Sequence, residues 1–171
     1  METFDAIRSR RNVRSYESRA IDPAAITRIL EAGRRTPSSR NEQRWDFVVV
    51  TEPERLERLS HVWRGAGHIA GSAATIALIA PEADEERVRT SIAYDLGQAT
   101  MSIMLAAADL GVGSGHSSCH DQDVAREVLG FPDGYTCAWL IGLGYPSDRP
   151  LRPIERPNRR PLDEVVHREV W

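Results

Sequence analysis

Residues 36–45 read TPSSRNEQRW and join an apolar helical segment to an apolar run that begins at Phe47. After Pro37, four uncharged hydrogen-bonding side chains lie in this turn: Ser38, Ser39, Asn41 and Gln43. Hydroxyl and amide groups both donate and accept hydrogen bonds, so this set suits the edge of a planar, amide-like ring. Taken alone, the turn is better explained as a polar loop with one buried tryptophan, Trp45.

Arginines are concentrated in two segments at opposite ends of the chain. These segments are RSRRNVR, residues 8–14, and RPNRRP, residues 156–161. The guanidinium group of an arginine can donate hydrogen bonds to two phosphate oxygens at once. The side chains of Arg10 and Arg14 converge if the chain turns between them. A solvated helix end is the simpler interpretation of the first segment. Together with the polar turn, the arginines predict a site for a phosphorylated heterocycle such as flavin mononucleotide (FMN).

The composition is that of one ordinary globular domain spanning residues 1–171, with 41% hydrophobic and 27% charged residues. A formal net charge of -3 gives no global attraction to nucleic acid or to an anionic membrane. No run approaches the roughly 20 apolar residues of a membrane span, and the N-terminus has no secretory apolar run. We therefore expect a cytoplasmic protein without nucleic-acid or membrane partners.

All 22 basic residues are arginine, since the chain contains no lysine. This excludes Schiff-base chemistry with pyridoxal phosphate and a P-loop phosphate site, because both require lysine. The Gly-x-Gly-x-x-Gly pattern of a Rossmann nicotinamide site is also missing. Arginine must carry the cationic phosphate recognition, and a nicotinamide would bind only transiently.

Hydrophobic periodicity and capping signals predict alternating helices and strands. The predicted elements are a short helix capped by Thr3, a helix from Pro23 to about Gly33 capped by Asp22, a strand at 47–50, a helix capped by Thr51, a strand at 75–80, a long helix over about 84–110, a short helix from Asp121 to about Leu129 and a strand at 137–143. Within the long helix, residues 99–108 are apolar on nearly every face, which predicts burial in the core or at a subunit contact. The glycine-rich run at 111–115 is predicted to be a tight loop.

Five prolines interrupt the chain after Tyr145, so residues 146–171 cannot form a long helix or a central strand. A last short helix is expected at about 162–167. An extended arm on a compact domain often packs across a neighbouring subunit. We therefore expect a dimer in which this arm crosses to the partner.

The order and spacing of several segments resemble the nitroreductase-like flavoprotein family, of which this chain would be a short member. The segments are RRNVR at 10–14, TPSSRNEQRWDF at 36–47, YDLGQA at 94–99, IGLGYP at 141–146 and RRPLDEVVH at 159–167. The resemblance implies an α+β fold with a central, mostly antiparallel sheet packed by helices. It also implies an obligate homodimer with FMN at the subunit interface.

The resemblance assigns residues to the FMN site in three groups. From one subunit come Arg10, Arg11, Asn12 and Arg14, which approach the phosphate and the ring edge. From the other come Pro37, Ser38, Ser39, Asn41 and Gln43. Arg159 and Arg160 complete the phosphate clamp, and Gly115, His116, Ser117 and Ser118 align with a loop that faces the flavin ring through a backbone N–H.

Three features depart from the family pattern. The flavin loop reads GHSSCH where many longer members carry Pro-x-Glu-Gly, and Arg44 stands where proline is usual. The helical insertion that covers the substrate in larger members is absent. These departures leave the electron acceptor open.

Three further groups have alternative interpretations. His116, Cys119 and His120 are potential zinc ligands, but a structural zinc site needs four ligands and no fourth lies near in sequence, so we expect no metal. Cys119 and Cys137 are expected to be small core residues and not a disulfide scaffold. Asp95 is either a catalytic acid or, as we expect, a structural carboxylate paired with an arginine.

The resemblance implies an oxidoreductase in which FMN performs the chemistry and no protein side chain is a catalytic nucleophile. NADH or NADPH would donate a hydride to the flavin, and a flat small-molecule acceptor such as a nitroaromatic or a quinone would receive it. Alternatives within the same family are fragmentation of reduced flavin by oxygen, dehalogenation or dehydrogenation. A non-catalytic flavin-binding protein is a further alternative, and a deazaflavin is disfavoured because no extra site accommodates its anionic tail.

Overall fold

The computed structural model describes all 171 residues and contains five α-helices and one four-stranded sheet. The helices are α1 (Thr3–Ser9), α2 (Pro23–Arg34), α3 (Pro53–Ser60), α4 (Glu86–Asp109) and α5 (Gln122–Leu129). The strands are β1 (Asp46–Val50), β2 (Ala74–Pro81), β3 (Gly113–Ser118) and β4 (Tyr135–Gly144). Single 3-10 turns lie at Ser39–Asn41, Gly67–Ile69 and Leu162–Glu164.

The strands follow the order β1-β2-β4-β3, and every neighbouring pair is antiparallel. This confirms the predicted α+β class with an antiparallel sheet. β2 and β4 are central, whereas β1 and β3 form the two edges. No helix is long and apolar enough to cross a membrane.

Both faces of the sheet are covered by helices. Residues of α2 and α4, including Ile29 and Ile103, pack with Ile76 and Ile141 on one face. Residues of α3 and α5, including Leu59, pack on the other face. A sheet buried on both faces needs apolar residues at successive positions, which explains why β1, β2 and β4 read as continuous apolar runs.

Four features differ from the sequence-based expectation. Residues 113–118 form an edge strand and not a loop, because pairing with β4 outweighs the weak strand preference of glycine. Glu2 and Glu52 precede α1 and α3, so Thr3 and Thr51 are not the caps. The helix expected at 162–167 is a single 3-10 turn. Asp22, in contrast, caps α2 as predicted, since its carboxylate accepts a hydrogen bond from the Ala24 N–H at 2.8 Å.

Four glycines form a patch without side chains on β3 and β4. Gly113 is paired with Gly144, and Gly115 with Gly142, so all four share one face of the sheet. The N-terminal segment, which includes Val13 and Tyr16, covers this patch. A Cβ atom at Gly115 would lie 2.3 Å from the backbone oxygen of Val13, and one at Gly144 would lie 2.7 Å from the Tyr16 ring.

The chain beyond Gly144 forms an exposed arm that is attached to the N-terminal helix at one place. The Ile154 N–H donates to the Arg8 carbonyl oxygen at 3.1 Å, and Arg8 forms an ion pair with Glu155 at 3.1 Å. From residue 155 onward every residue is exposed. That this arm crosses to a partner subunit stays a prediction.

Replacing Gly115 with alanine tests the close approach of Val13 to β3. We expect Gly115→Ala to lower the free energy of unfolding by about 2–3 kcal/mol, because the new methyl group overlaps the Val13 carbonyl. Gly67→Ala is the matched control, since a Cβ there meets no atom within 4 Å and its effect should stay within about 0.5 kcal/mol. Urea denaturation measures both, and equal stability of the two variants would contradict the packing described.

Candidate functional site

The outer edge of β3 carries the N-terminal segment as its neighbour. Asn12 forms a parallel bridge with Ser114, and the Val13 N–H donates to the Ser114 carbonyl oxygen at 2.9 Å. Val13 is completely buried, and its side chain fills the space that a Cβ atom at Gly113 would need. This packing sets the course of residues 10–14 along the strand edge.

Arg10 and Arg14 lie beside His116 of β3, and both guanidinium groups are free of protein partners. Neither forms an ion pair or a side-chain hydrogen bond, whereas ten of the 22 arginines form ion pairs. Their positive charges lower the pKa of His116, which places them close to its ring. Two unpaired arginines beside a strand edge form a local anion-binding surface on a protein whose net charge is -3.

His116 is held neutral by its surroundings. Burial lowers the pKa of its ring most, and the charges of Arg10, Arg14 and His68 lower it further. The ring edge faces Trp139 at a centroid distance of 5.7 Å, and its buried Nδ1 has no hydrogen-bond partner. A buried polar atom without a partner is costly, so His116 offers an unused hydrogen-bonding position to a ligand.

The backbone of β3 also has groups available at this edge. Ser114 directs its carbonyl group away from β4 and toward Val13. Along an edge strand of an antiparallel pair, every second residue directs its backbone N–H and C=O groups away from the neighbouring strand. Like Ser114, therefore, His116 and Ser118 direct their backbone groups to the open edge of β3. The Ser117 side chain is buried and its hydroxyl donates to the Ser118 carbonyl oxygen at 3.1 Å.

Arg11 is directed away from Arg10 and Arg14. Its Nη2 lies 2.6 Å from the Asp148 carboxylate and donates to the Arg149 carbonyl oxygen at 2.6 Å. The hydrogen bond from Arg11 lowers the pKa of Asp148. The structure therefore shows Arg11 attaching the start of the arm to the N-terminal segment, and a role in cofactor binding stays a prediction.

The polar turn is held by a buried carboxylate of α4. Asp95 is 3% exposed and accepts the Ser39 N–H at 3.0 and 3.2 Å through its two oxygens. The Ser38 hydroxyl oxygen accepts the Gln43 N–H at 3.0 Å. Asp95 is thus the expected structural carboxylate, but its partners are the backbone N–H and the hydroxyl of Ser39, and the expectation of an arginine partner is wrong.

The same turn contains three non-glycine residues in the left-handed region of backbone space. The φ angles are 54° at Arg40, 58° at Asn41 and 51° at Gln43. Such conformations cost free energy and persist where the surrounding structure imposes them, most often at binding sites. The turn borders an open cavity of about 440 Å³ between Ser39, Arg40 and Arg44 and the first turns of α4.

Comparison with known proteins identifies the fold and the family. The model of the nitroreductase family matches residues 7–66 and 60–145. A protein of Archaeoglobus fulgidus, provisionally named as an NADH dehydrogenase/NAD(P)H nitroreductase, is 30% identical, with 99% of each chain covered. The chain belongs to the nitroreductase family. The family resemblance of the sequence motifs is thereby confirmed.

Other nitroreductase-family relatives agree. An NADH dehydrogenase of Thermus thermophilus is 25% identical, with 97% of this chain and 95% of that protein covered. The structure of an FMN-dependent nitroreductase from Clostridium difficile superimposes with a TM-score of 0.85 at 23% identity, covering 98% and 99% of the two chains. The latter similarity demonstrates the common fold.

This nitroreductase-family chain brings together only part of the predicted site. Arg10, Asn12 and Arg14 lie with His116 and Ser118 at the edge of β3. No hydrogen bond or ion pair joins them to the turn at 38–43 within the chain. Arg159 donates only to the Asn158 carbonyl oxygen at 2.7 Å, and Arg160 only to Glu164. Pro37, Asn41 and Gln43 are exposed.

The sequence analysis did not predict the part played by His68. Its Nε2 lies 3.0 Å from the Gly115 carbonyl oxygen and its Nδ1 lies 3.2 Å from that of Gly65. Burial, more than any other cause, lowers the pKa of His68. The absent side chain at Gly115 makes room for this ring, but a histidine 47 positions away in sequence carried no signal of the contact.

The three potential zinc ligands have separate surroundings. The His120 ring stacks on Trp63 at a centroid distance of 3.9 Å, whereas His116 faces Trp139. Cys119 is buried in the apolar cluster beneath α3 and α5. No group of three or more histidine, cysteine or acidic side chains is arranged to hold a metal ion.

Substitution of Asp95 tests the anchoring of the turn. Asp95→Ala is expected to lower the free energy of unfolding by about 1–3 kcal/mol, because the Ser39 N–H loses its acceptor. Asp95→Asn keeps one acceptor oxygen and should therefore lower the free energy of unfolding by a smaller amount. Thermal unfolding measures the stability, and hydrogen exchange of the Ser39 amide reports the local contact. Unchanged exchange in Asp95→Ala would contradict this account.

The titration of two histidines tests the placement of the arginines. Arg14→Gln should raise the pKa of both His68 and His116, whereas Arg10→Gln should raise that of His116 alone. In the folded protein the pKa of each histidine lies below the ordinary value of 6.5. As the pH falls below 6.5, the unfolded chain takes up these protons before the folded protein does, so the free energy of unfolding should decrease. NMR titration of the ring protons measures each pKa, and identical curves in all three proteins would refute the arrangement.

Proposed function

We propose that this nitroreductase-family protein is an FMN-dependent oxidoreductase that transfers hydride from NADH or NADPH to a flat acceptor such as a nitroaromatic or a quinone. The observation that carries the proposal is the pair of unpaired guanidinium groups, Arg10 and Arg14, beside neutral His116 at an open strand edge. The names of relatives support it, since one is an FMN-dependent nitroreductase and another is provisionally an NAD(P)H nitroreductase.

The residues present fit an FMN molecule. Arg10 and Arg14 supply the charge for its phosphate, and no protein carboxylate competes for them. His116 Nδ1 and the outward backbone N–H groups of β3 are available to the polar atoms of the isoalloxazine ring. A group of this kind would satisfy the unpartnered His116 nitrogen, which the protein leaves without a hydrogen bond.

Bound FMN would supply the two-electron chemistry, accepting hydride from the nicotinamide and passing it to the acceptor. The chain itself has three tasks. Arg10 and Arg14 bind the cofactor and favour the negative charge of its reduced form. The turn anchored by Asp95 orients the polar edge of the ring, and the neutral His116 ring adds no charge of its own.

A homodimer completes the site in this proposal. Within one chain no hydrogen bond or ion pair joins the turn at 38–43 to the arginines at 10–14, and in this proposal a second subunit brings the two to one cofactor. Exposed apolar side chains support a subunit contact: Phe4 and Ile7 on α1, Tyr94 and Met101 on α4, and Leu162, Val165, Val166 and Trp171 on the arm. The arm would carry Arg159 and Arg160 to the phosphate. We also propose a cytoplasmic location.

Comparison of FMN with riboflavin tests the phosphate assignment. Arg10→Gln and Arg14→Gln should each weaken FMN binding by about 10-fold or more, because each removes a charge-assisted hydrogen bond. Riboflavin has no phosphate, so its affinity should remain unchanged. Fluorescence quenching of the flavin by the protein measures both affinities.

The control for this experiment is Arg34→Gln, because Arg34 is an exposed arginine that pairs with Glu31 at 2.7 Å. It should bind FMN and riboflavin as the unaltered protein does. Equal loss of both flavins in Arg10→Gln and Arg14→Gln would show that these residues do not recognise the phosphate. No flavin binding by the unaltered protein would overturn the proposed function.

Anaerobic spectroscopy tests the reaction. NADH or NADPH should bleach the yellow absorption of the FMN-loaded protein, and a quinone or nitroaromatic should restore it. Colour that persists with both nicotinamides would instead indicate a non-catalytic flavin-binding protein. Loss of intact flavin during aerobic turnover would indicate fragmentation of the cofactor, and product analysis separates dehalogenation and dehydrogenation from both.

A further inference from the structure

Cys119 and Cys137 are brought together in the fold although 17 positions separate them in sequence. Cys119 follows the last residue of β3, and Cys137 lies in β4. Both are free thiols in the apolar cluster that faces α3 and α5. Their side chains lie close enough that each thiol shifts the pKa of the other. The Cys119 sulfur lies 3.8 Å from the Asp121 carbonyl oxygen, and the Cys137 sulfur lies 3.9 Å from that of Trp139. They therefore form a dithiol pair that the proposed FMN chemistry does not use.

A bulge in β4 places Cys137 on the same face as Cys119. Leu78 of β2 pairs with Trp139, but the next residue, Ile79, pairs with Cys137, so Ala138 is the extra residue. Ala138 and Trp139 both contact the cluster of α4, whereas Cys137 joins Leu140 in the opposite cluster. Regular alternation would have turned Cys137 to the α4 face, away from Cys119.

The side chain of Gln122 holds the two cysteine backbones together. Its Nε2 donates to the Cys119 carbonyl oxygen at 2.8 Å and to the Cys137 carbonyl oxygen at 2.9 Å. Its Oε1 accepts the Cys137 N–H at 2.8 Å. One side chain thus satisfies three backbone groups of two distant residues. Disulfide formation requires thiols that already face each other at short range, and this clamp maintains that arrangement.

The two sulfurs differ in their chemical environment. The hydrogen bond with the Cys137 thiol lowers the pKa of Cys119, and the Gln122 side chain acts in the same direction. The same thiol pair and burial raise the pKa of Cys137, which stays protonated. Cys119 is also the more accessible, at 8% exposure against 0%. Cys119 is therefore the nucleophile of the pair and Cys137 its resolving thiol.

We propose that Cys119 and Cys137 are an oxidation site that forms an intramolecular disulfide with hydrogen peroxide as the oxidant. The Cys119 thiolate attacks one peroxide oxygen, the O–O bond breaks, and the leaving hydroxide takes up a proton to give water. The Cys137 sulfur then attacks the sulfur of the Cys119 sulfenic acid, and the second water leaves with the Cys137 proton. Two electrons pass from the thiols to the peroxide.

The disulfide would join the end of β3 directly to β4 and close a loop that contains α5. His116, Ser117 and Ser118 of the candidate site lie immediately before Cys119 on the same strand. Formation of the disulfide would therefore constrain the end of β3, the strand that carries His116, Ser117 and Ser118 of the candidate site. The inference does not rest on flavin binding, because it depends on the shared cluster of the two cysteines and on the Gln122 hydrogen bonds that join their backbones.

Peroxide treatment of the folded full-length protein, with and without FMN, tests this inference. The expected product has lost about 2 Da and both free thiols, contains one cross-linked Cys119–Cys137 peptide, and returns to the dithiol form with a reducing agent. Denaturing thiol titration and peptide mass spectrometry measure these changes. Two free thiols, higher oxides on Cys119 alone or an intermolecular disulfide in the unaltered protein would each overturn it.

Three variants separate the roles of the residues. Cys137→Ala should stop at a Cys119 sulfenic acid that dimedone traps, and Cys119→Ala should leave Cys137 unmodified. Gln122→Ala keeps both thiols but loses the clamp, so disulfide formation should slow by about 10-fold. Circular dichroism shows whether each variant is folded. A disulfide that forms at the same rate in folded Gln122→Ala and in the unaltered protein would contradict the role of the clamp.

Discussion

The close approach of Val13 to the edge of β3 is the contact on which the site depends. It is possible because Gly113 and Gly115 have no side chains on the face that Val13 covers. A backbone hydrogen bond to Ser114 then fixes the direction of residues 10–14. The charge of Arg10 and Arg14 is therefore positioned by steric and backbone constraints, which leaves their guanidinium groups free for a ligand.

The glycine patch has a second effect on the same region. Gly142 and Gly144 allow the Tyr16 ring to lie on β4, where its hydroxyl donates to the carbonyl oxygens of Val13 and Gly142 at 2.8 and 3.2 Å. His68 reaches Gly115 through the same opening. Two aromatic rings thus pack where a sheet ordinarily carries aliphatic side chains. They connect the N-terminal segment, the loop after α3 and the paired strands.

The polar turn obeys a different constraint, since a buried carboxylate holds it from below. Asp95 accepts the Ser39 N–H, and the strained residues Arg40, Asn41 and Gln43 follow at once. No hydrogen bond or ion pair connects this turn to Arg10 or Arg14 within the chain. In the proposed function the two halves are complementary parts of a site shared between two subunits. β3 is common to that site and to the dithiol pair at its end.

Much of the fold could be predicted from the sequence, because its signals are local. The Asp22–Pro23 cap, the apolar runs of β1, β2 and β4 and the long α4 all appear close to their predicted limits. Local signals failed where pairing decided the outcome. The glycine-rich segment 113–118 became a strand because β4 offered it a partner, and glycine by itself carries no strand signal.

For the candidate site, the chemical groups can be identified from the amino-acid sequence: arginines without lysine, a polar turn and the motifs of the nitroreductase family. Which of these groups are available depends on the folded chain. Arg11 is engaged by Asp148 whereas Arg10 and Arg14 are free, and Asp95 binds a backbone N–H. The folded chain also decides that Cys119 faces Cys137, through a one-residue bulge in β4. The reason is physical: hydrogen-bond partners and strand register depend on residues that are distant in sequence and meet only in the folded chain.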